Sequence, residues 1–394
     1  MQRTEIAVIG AGPAGTTAAH RLAAAGVQVT LFEQATFPRD KICGDAVTRL
    51  GLDVLARTGL AAWSLPFKEI PALQFTAPDG QVLDVALPTG TDGTACRIIP
   101  RATLDSRLAQ AAADAGALLR EGTHVRRVEI DETEARVSVS GGTVHAKLVI
   151  LAEGSNAALT RRLGLLRETC DLVAVRQYLS GDSDPDGPLE FHFQPAILPG
   201  YVWMFPEGDG RINIGAGTYT RRVRDQAVDL NTVVAAFRAH HPATAERLAQ
   251  TEPDGPIKGH LLHTHLGGTR THSSRVLVVG DAAGLVSPLT GEGIAAGMWS
   301  GETAATHALN ALQSGDGSAA GLAPYTRALR ARYHADQRAG RFLRAVLRFP
   351  KVLNRAFRNL RQDATLATLF GRIFLDEASP RRLLAPTVLW RLLR

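Results

Sequence analysis

Apolar positions fall into two periods along this chain. Glu5-Ile-Ala-Val-Ile-Gly10 is a nearly unbroken apolar run ending in glycine and predicts a strand at 4–9. A helical pattern follows at about 13–25, and Val27-Gln-Val-Thr-Leu-Phe-Glu33 predicts a second strand. This strand–helix–strand start opens a doubly wound α/β domain with a parallel sheet. Far downstream, Arg275-Val-Leu-Val-Val-Gly280 is another short apolar run that suits a buried parallel strand of the same sheet, so the domain is discontinuous. Between them, Pro- and Gly-punctuated segments at 67–100 and 170–219 have strand character, and 101–115 and 223–240 have helical character. They predict an α+β domain inserted into the first. Beyond the loop at Gly315-Asp-Gly-Ser, residues 322–348 and 351–373 return to helical periodicity.

The turn after the first strand is Gly10-Ala-Gly12-Pro13-Ala14-Gly15, with Glu33 ending the next strand. Gly10 permits a tight turn, Gly12 lets backbone approach a pyrophosphate at the positive end of the helix, and Gly15 allows close packing of helix on strand. Glu33 is positioned to accept hydrogen bonds from an adenosine ribose. Strand, helix, spacing and acid together predict a dinucleotide site. A second signature specifies which one. Gly280-Asp281-Ala-Ala-Gly284 follows the late strand, leads into Pro288-Leu-Thr-Gly291-Glu-Gly293, and gives way to a helix opening at Ile294. The Asp can bind ribityl hydroxyls, and the glycine-rich helix start can aim backbone N–H groups at the flavin carbonyl where charge gathers on reduction. Two such motifs near opposite ends of one chain point to FAD, held non-covalently.

Gly10–Gly15 with Glu33, then Phe37-Pro-Arg-Asp-Lys-Ile-Cys43-Gly44-Asp45, then Gly200-Tyr201-Val-Trp203-Met-Phe205-Pro206, then Gly280–Gly293 resemble the geranylgeranyl reductase family of FAD-dependent oxidoreductases. The likeness extends over about residues 1–312. It implies a glutathione-reductase-type FAD fold, related to flavin hydroxylases. It also implies hydride transfer from flavin to carbon–carbon double bonds of an apolar, isoprenoid-like or natural-product substrate. By the same resemblance Cys43 and Gly44 lie near the isoalloxazine, Arg101 contacts FAD, and Tyr201, Trp203 and Phe205 line the substrate face. The domains then run 1–66, 99–165 and 267–314 for FAD, 67–98 and 166–266 for substrate, and 315–394 as a helical basic C-terminal region.

Tyr201, Trp203 and Phe205 alternate on a strand and share one face, which is either an aromatic wall for a ligand or sheet core. Cys43 is either a small buried hydrophobe or a group facing the flavin. Tyr201, Trp203 and Cys43 are the candidate catalytic residues, with Tyr201 assigned to proton supply. Where flavoproteins of this class carry an Asp-Gly motif, the strand Lys147–Ala152 leads here to Glu153-Gly154. Either NAD(P)H or a separate ferredoxin or flavin reductase is therefore expected as electron donor. A monooxygenase on the same scaffold is the alternative, and a flavin-stabilised binding protein without turnover is the lesser one.

Composition narrows the setting. The chain has 394 residues, 45% hydrophobic and 21% charged, as an ordinary globular protein does. Its three cysteines are far apart with no Cys-x-x-Cys, which excludes a disulfide framework or thiolate zinc site and suits a reducing cytoplasm. No cleavable apolar leader precedes the first strand, so the chain is expected to begin at Met1. His263 and His265 are expected on one strand face, read as structural rather than metal-binding, with no metal site assigned. The net charge of +6 conceals an asymmetry, because residues 321–394 carry 16 basic against 4 acidic side chains. Arg341, Arg344, Arg348, Lys351, Arg355 and Arg358 form one helical stripe beside Phe342, Val346, Phe349, Leu353, Phe357 and Leu360, interrupted at Pro350. Such a surface rests peripherally on a membrane, holds an acidic carrier, or simply faces water. No nucleic-acid module accompanies the charge.

Overall fold

The computed structural model describes residues 2–90, 93–242 and 244–394. The fold is α/β and doubly wound, as the apolar runs predict. An eight-stranded sheet contains, in order, His272–Ser273, Val276–Val278, Gly142–Leu151, Gln2–Ile9, Val29–Phe32 and Leu118–Arg120. Val125–Ile130 and Ala135–Val139 extend it from the Gly142–Leu151 strand. Four neighbouring pairs from Val276–Val278 to Leu118–Arg120 are parallel. Parallel strands are covered on both faces, and Ile6–Val8, Val149–Leu151 and Val276–Val279 are accordingly buried throughout. Helix Pro13–Ala24 packs between Arg101–Asp114 and Ile294–Ser314.

A seven-stranded sheet stands opposite, in the order Glu252–Leu262, Leu172–Ser180, Arg211–Tyr219, Tyr201–Pro206, Leu189–His192, Ala72–Thr76 and Val82–Ala86. Its two faces separate by alternation. Val202, Met204, Ile212 and Ile214 pack beneath Val234 and Phe237 of helix Leu230–His240, while Trp203 and Phe205 join the other core. Cys96–Ile98, read from sequence with the substrate segment, instead pairs with Ala46–Thr48 in a two-stranded sheet of its own.

The C-terminal region divides between the two sheets. Helix Ala319–Leu329 lies against the eight-stranded sheet, where the buried Tyr325 hydroxyl donates to the Val278 carbonyl at 2.7 Å. Helices Ala335–Leu347, Pro350–Gln362 and Ala364–Phe374 cover the seven-stranded sheet. Pro350 starts a helix rather than bending one, because at the first helical position its missing N–H is no loss. The expected apolar stripe therefore splits at Phe349. Leu353, Phe357 and Leu360 are buried, but Phe342 and Phe349 are 56% and 49% exposed. The expected basic stripe loses Arg344, which turns inward and is 4% exposed. No helix among the described residues is long and apolar enough to cross a membrane.

Candidate active site

A cavity of about 1220 Å³ runs between the two sheets, larger than the roughly 300–1,000 Å³ typical of one small-ligand site. One end is made of backbone. Gly10 has φ +102°, a left-handed value that a side chain resists, and closes the turn after the first strand. Gly12 caps helix Pro13–Ala24; a side chain there would meet nothing nearer than 3.9 Å, the distance to Nη2 of Arg101. That open space over a helix N-terminus is where a pyrophosphate fits. Pro13 and Ala14 line the same wall, whereas Gly15 is buried in the first turn and serves packing. Glu33 lines the cavity beyond them, its Oε2 accepting from the Ala11 amide and from Arg39, each at 3.1 Å.

The second motif meets the first across the cavity. Gly280, Asp281, Gly291, Gly293 and Ile294 all line it, and Gly293 caps helix Ile294–Ser314. Asp281 Oδ2 accepts from Ser155 Oγ at 3.0 Å. Arg101 lines the cavity too, its guanidinium held by Asp105 at 2.8 and 2.7 Å, and Asp105 also binds Arg39 at 2.9 Å. An open helix start, a carboxylate at the adenosine position and an Asp beside a second helix start form a donor and acceptor set that fits FAD.

The other end is aromatic. Tyr201, Trp203 and Phe205 line the cavity from one strand face. Phe191 stacks edge-on against Tyr201 and Phe205, with centroids 5.4 and 5.1 Å apart. Phe374 of the tail closes on Phe75 and Phe191 at 4.8 and 5.2 Å. Gly44 ties the two ends together, since a Cβ there would come 2.8 Å from the Phe205 ring.

Behind Cys43 and Gly44 lies a polar knot that no local motif announces. Trp203 Nε1 donates to Asn213 Oδ1 at 2.9 Å; Asn213 Nδ2 donates to the Cys43 carbonyl at 2.7 Å and to Asp45 at 2.6 Å. Asp45 also accepts from the Tyr178 hydroxyl at 2.7 Å and the Arg101 amide at 3.0 Å. With its N–H consumed, Trp203 is a fixed wall. Burial pushes the Cys43 thiol upward despite Arg101 beside it, so Cys43 faces the cavity as a neutral thiol. Burial likewise raises the Tyr201 phenol far above its ordinary range, and its hydroxyl donates to the Thr290 carbonyl. Tyr201 is thus a poorer acid than free tyrosine, which argues against the proton supply expected of it.

Two residues inside the quoted motifs carry charge chemistry instead. Glu292, between Gly291 and Gly293, lies between the main cavity and a small one lined by Asp376, Asp336 and Tyr333. Burial, with Asp376 adding to it, pushes the Glu292 carboxyl up to about 8. Lys41 lines the main cavity with its Nζ against His260 Nε2, and burial brings it down to about 8. His263 and His265 do not share a strand face, because the strand ends at Leu262. His263 Nδ1 lies 3.2 Å from the Asp281 carbonyl, and His265 pairs with Glu168. Glu153 spends its carboxylate on the helix start at Ala158–Arg162, accepting from Leu159 N, Thr160 N and Thr160 Oγ1 at 2.7–2.9 Å.

Comparison with known proteins agrees with this geometry. A family model described as FAD binding domain matches residues 3–338. A menaquinone reductase of Mycolicibacterium smegmatis is 31% identical over 387 residues, covering 94% of this chain and 91% of the relative. A digeranylgeranylglycerophospholipid reductase of Methanopyrus kandleri is 29% identical over 338 residues, covering 82% and 81%. Among solved structures, a geranylgeranyl bacteriochlorophyll reductase-like protein from Thermoplasma acidophilum superposes with a TM-score of 0.83 at 22% identity, covering 97% of this chain and 99% of the other.

Proposed function

This chain belongs to the FAD binding domain family, among the FAD-dependent reductases of geranylgeranyl reductase type, and from that premise we propose that it saturates carbon–carbon double bonds in the polyprenyl tail of a quinone. The observation that carries this reading is the continuity of one cavity, from a backbone cradle at Gly12 and Asp281 to an aromatic cage at Tyr201, Trp203 and Phe374. The relation to menaquinone reductases supports the quinone, and the relation to geranylgeranyl lipid reductases supports the polyprenyl tail.

FAD held by Gly12, Glu33, Asp281 and Gly293 would, when bound and reduced, supply hydride to an alkene carbon. The remaining tasks fall to the chain. Ring faces of Tyr201, Trp203, Phe205 and Phe374 receive the apolar tail and exclude water. Asn213 keeps the Trp203 indole at one angle while holding the Cys43 carbonyl, so the wall and the Cys43–Gly44 turn keep a fixed spacing. The second alkene carbon needs a proton. Glu292 keeps its proton through neutrality, and Asp376 behind it, pushed up to about 6 by burial, refills it from the small cavity. Backbone N–H groups at the start of helix Ile294–Ser314 and the Lys41 ammonium offset negative charge gathering on the cofactor side. The engagement of Glu153 as a helix cap favours a separate ferredoxin or flavin reductase as electron source over NAD(P)H bound beside it.

The test is anaerobic. Dithionite-reduced holoprotein is mixed with a polyprenyl naphthoquinone and, separately, with a geranylgeranyl lipid, and products are read by mass for the gain of two hydrogens in the tail. Tail saturation supports the reading. Quinone-ring reduction without tail saturation, or no product from either substrate, sinks it. Bleaching of the bound flavin by NADPH alone at catalytic speed would overturn the separate donor.

A further inference from the structure

Arg344 is the one member of the basic stripe that leaves the surface. It is 4% exposed, lies on helix Ala335–Leu347, and lines the main cavity. Its Nη1 donates to the Pro288 carbonyl at 2.6 Å and its guanidinium lies 4.0 Å over the Tyr219 ring. Its Nε is buried with no hydrogen-bond partner, and among the described residues no carboxylate lies within 4.0 Å to form an ion pair with it. The other deeply buried arginines differ in having a carboxylate partner, although Arg176 also leaves its Nε unpartnered; Arg97 lies 3.8 Å from Glu69. Arg101 is clamped by Asp105, and Arg176 pairs with Asp40.

A guanidinium in a mostly apolar wall is costly unless acceptors satisfy it, and here the protein supplies one carbonyl and one ring face. Its position gives the vacancy a use. Arg344 and Tyr201 hold the same loop, one through the Pro288 carbonyl and the other through the Thr290 carbonyl, immediately before Gly291 and Gly293. We infer that Arg344 is the polar anchor of the substrate pocket. Its Nη2, which has no hydrogen-bond partner in the protein and is not sealed off as Nε is, takes an oxygen acceptor at the polar end of a polyprenyl substrate, while the aromatic cage takes the tail. This rests on the polyprenyl reading above and adds a recognition element to it. A planar fork suits either a quinone carbonyl or a diphosphate oxygen, and both present the same acceptor chemistry to it.

Oxidised holoprotein is titrated with three probes while the flavin absorption bands are followed. The probes are a polyprenyl naphthoquinone, geranylgeranyl diphosphate, and squalene, which has a polyprenyl chain and no polar end. Arg344→Met is expected to weaken whichever polar-ended probe the wild type binds by at least tenfold, leave squalene unchanged, and retain full flavin content. Arg344→Lys, which keeps charge and the reach to Pro288 but loses the fork, is expected to recover only part of the loss. It is read alone should the Met variant fail to fold. Which probe responds distinguishes carbonyl from diphosphate. Equal affinity for both polar-ended probes in wild type and variants overturns the anchor and leaves the polyprenyl reading intact. A wild type that binds none of the three probes overturns both.

Discussion

The two ends of the cavity are made of different material. At the FAD end, recognition is by backbone: left-handed glycines, two helix starts and a few short-range carboxylates. At the aromatic end, where we propose the substrate sits, the walls are side chains drawn from distant strands and from the tail, with Phe75, Phe191, Tyr201 and Phe374 meeting at centroid distances of 4.8–6.4 Å. A backbone site tolerates almost no substitution, and each of its motifs is set by a short stretch of sequence. A side-chain cage tolerates exchange of one ring for another of like volume but exists only after long-range packing.

Substitutions should fail differently at the two ends. Gly12→Val fills the space over the helix start and is expected to remove most of the bound flavin, read as the visible-to-ultraviolet absorbance ratio of purified protein. A fully yellow variant would break the comparison. Phe374→Ala should leave flavin content intact yet cost about 3–5 kcal/mol in urea unfolding of the holoprotein, as buried Phe-to-Ala truncations do. Asn213→Ala lies between the two, since it strands the buried Asp45 and frees the Trp203 indole. About 1–3 kcal/mol of destabilisation is expected, with weaker substrate binding and normal flavin loading. Glu292→Gln keeps the acceptor for the Ala295 amide but removes the proton. Wild-type turnover should hold through neutrality and fall as pH rises through about 8, because a carboxyl raised from 4.5 loses its proton there. The variant should be slow at every pH and lack that limb. The same raised acid makes the folded state lose stability as pH climbs from about 4.5 to 8. Phe342→Ser, on the exposed face of the tail, should change stability by no more than about 0.5 kcal/mol in the same urea assay.

The contrast in material is also a contrast in legibility. Gly10–Gly15, Glu33 and Gly280–Gly293 are legible because each motif's spacing lies within a few residues of chain, although the close contacts that demand glycine come from elsewhere, as Gly10 against the Ala152 carbonyl and Gly280 against Ala14. The alternation of Tyr201, Trp203 and Phe205 gave their common face, but not the partner that fixes Trp203. Asn213 sits between Ile212 and Ile214 on a strand, and a polar residue among buried apolar neighbours was the available signal. Glu292 stands inside the Gly280–Gly293 motif, but what sets its carboxyl apart is burial beside Asp376, far along the chain. Arg344 obeyed the helical stripe in sequence. Only the packing of its helix against the loop at Pro288 buries it.

The tail has a consequence for the order in which the protein is made. Phe75 and Phe191 leave the ribosome early, and the ring that closes over them, Phe374, arrives about 180 residues after Phe191. Until then a broad apolar face is open to solvent, although the FAD-side strands have been complete since Val278. A growing chain therefore passes through a stage with its nucleotide fold assembled and its substrate chamber unroofed, when aggregation is most favoured. Bound flavin alone would not protect it, because the surface at risk belongs to the other sheet.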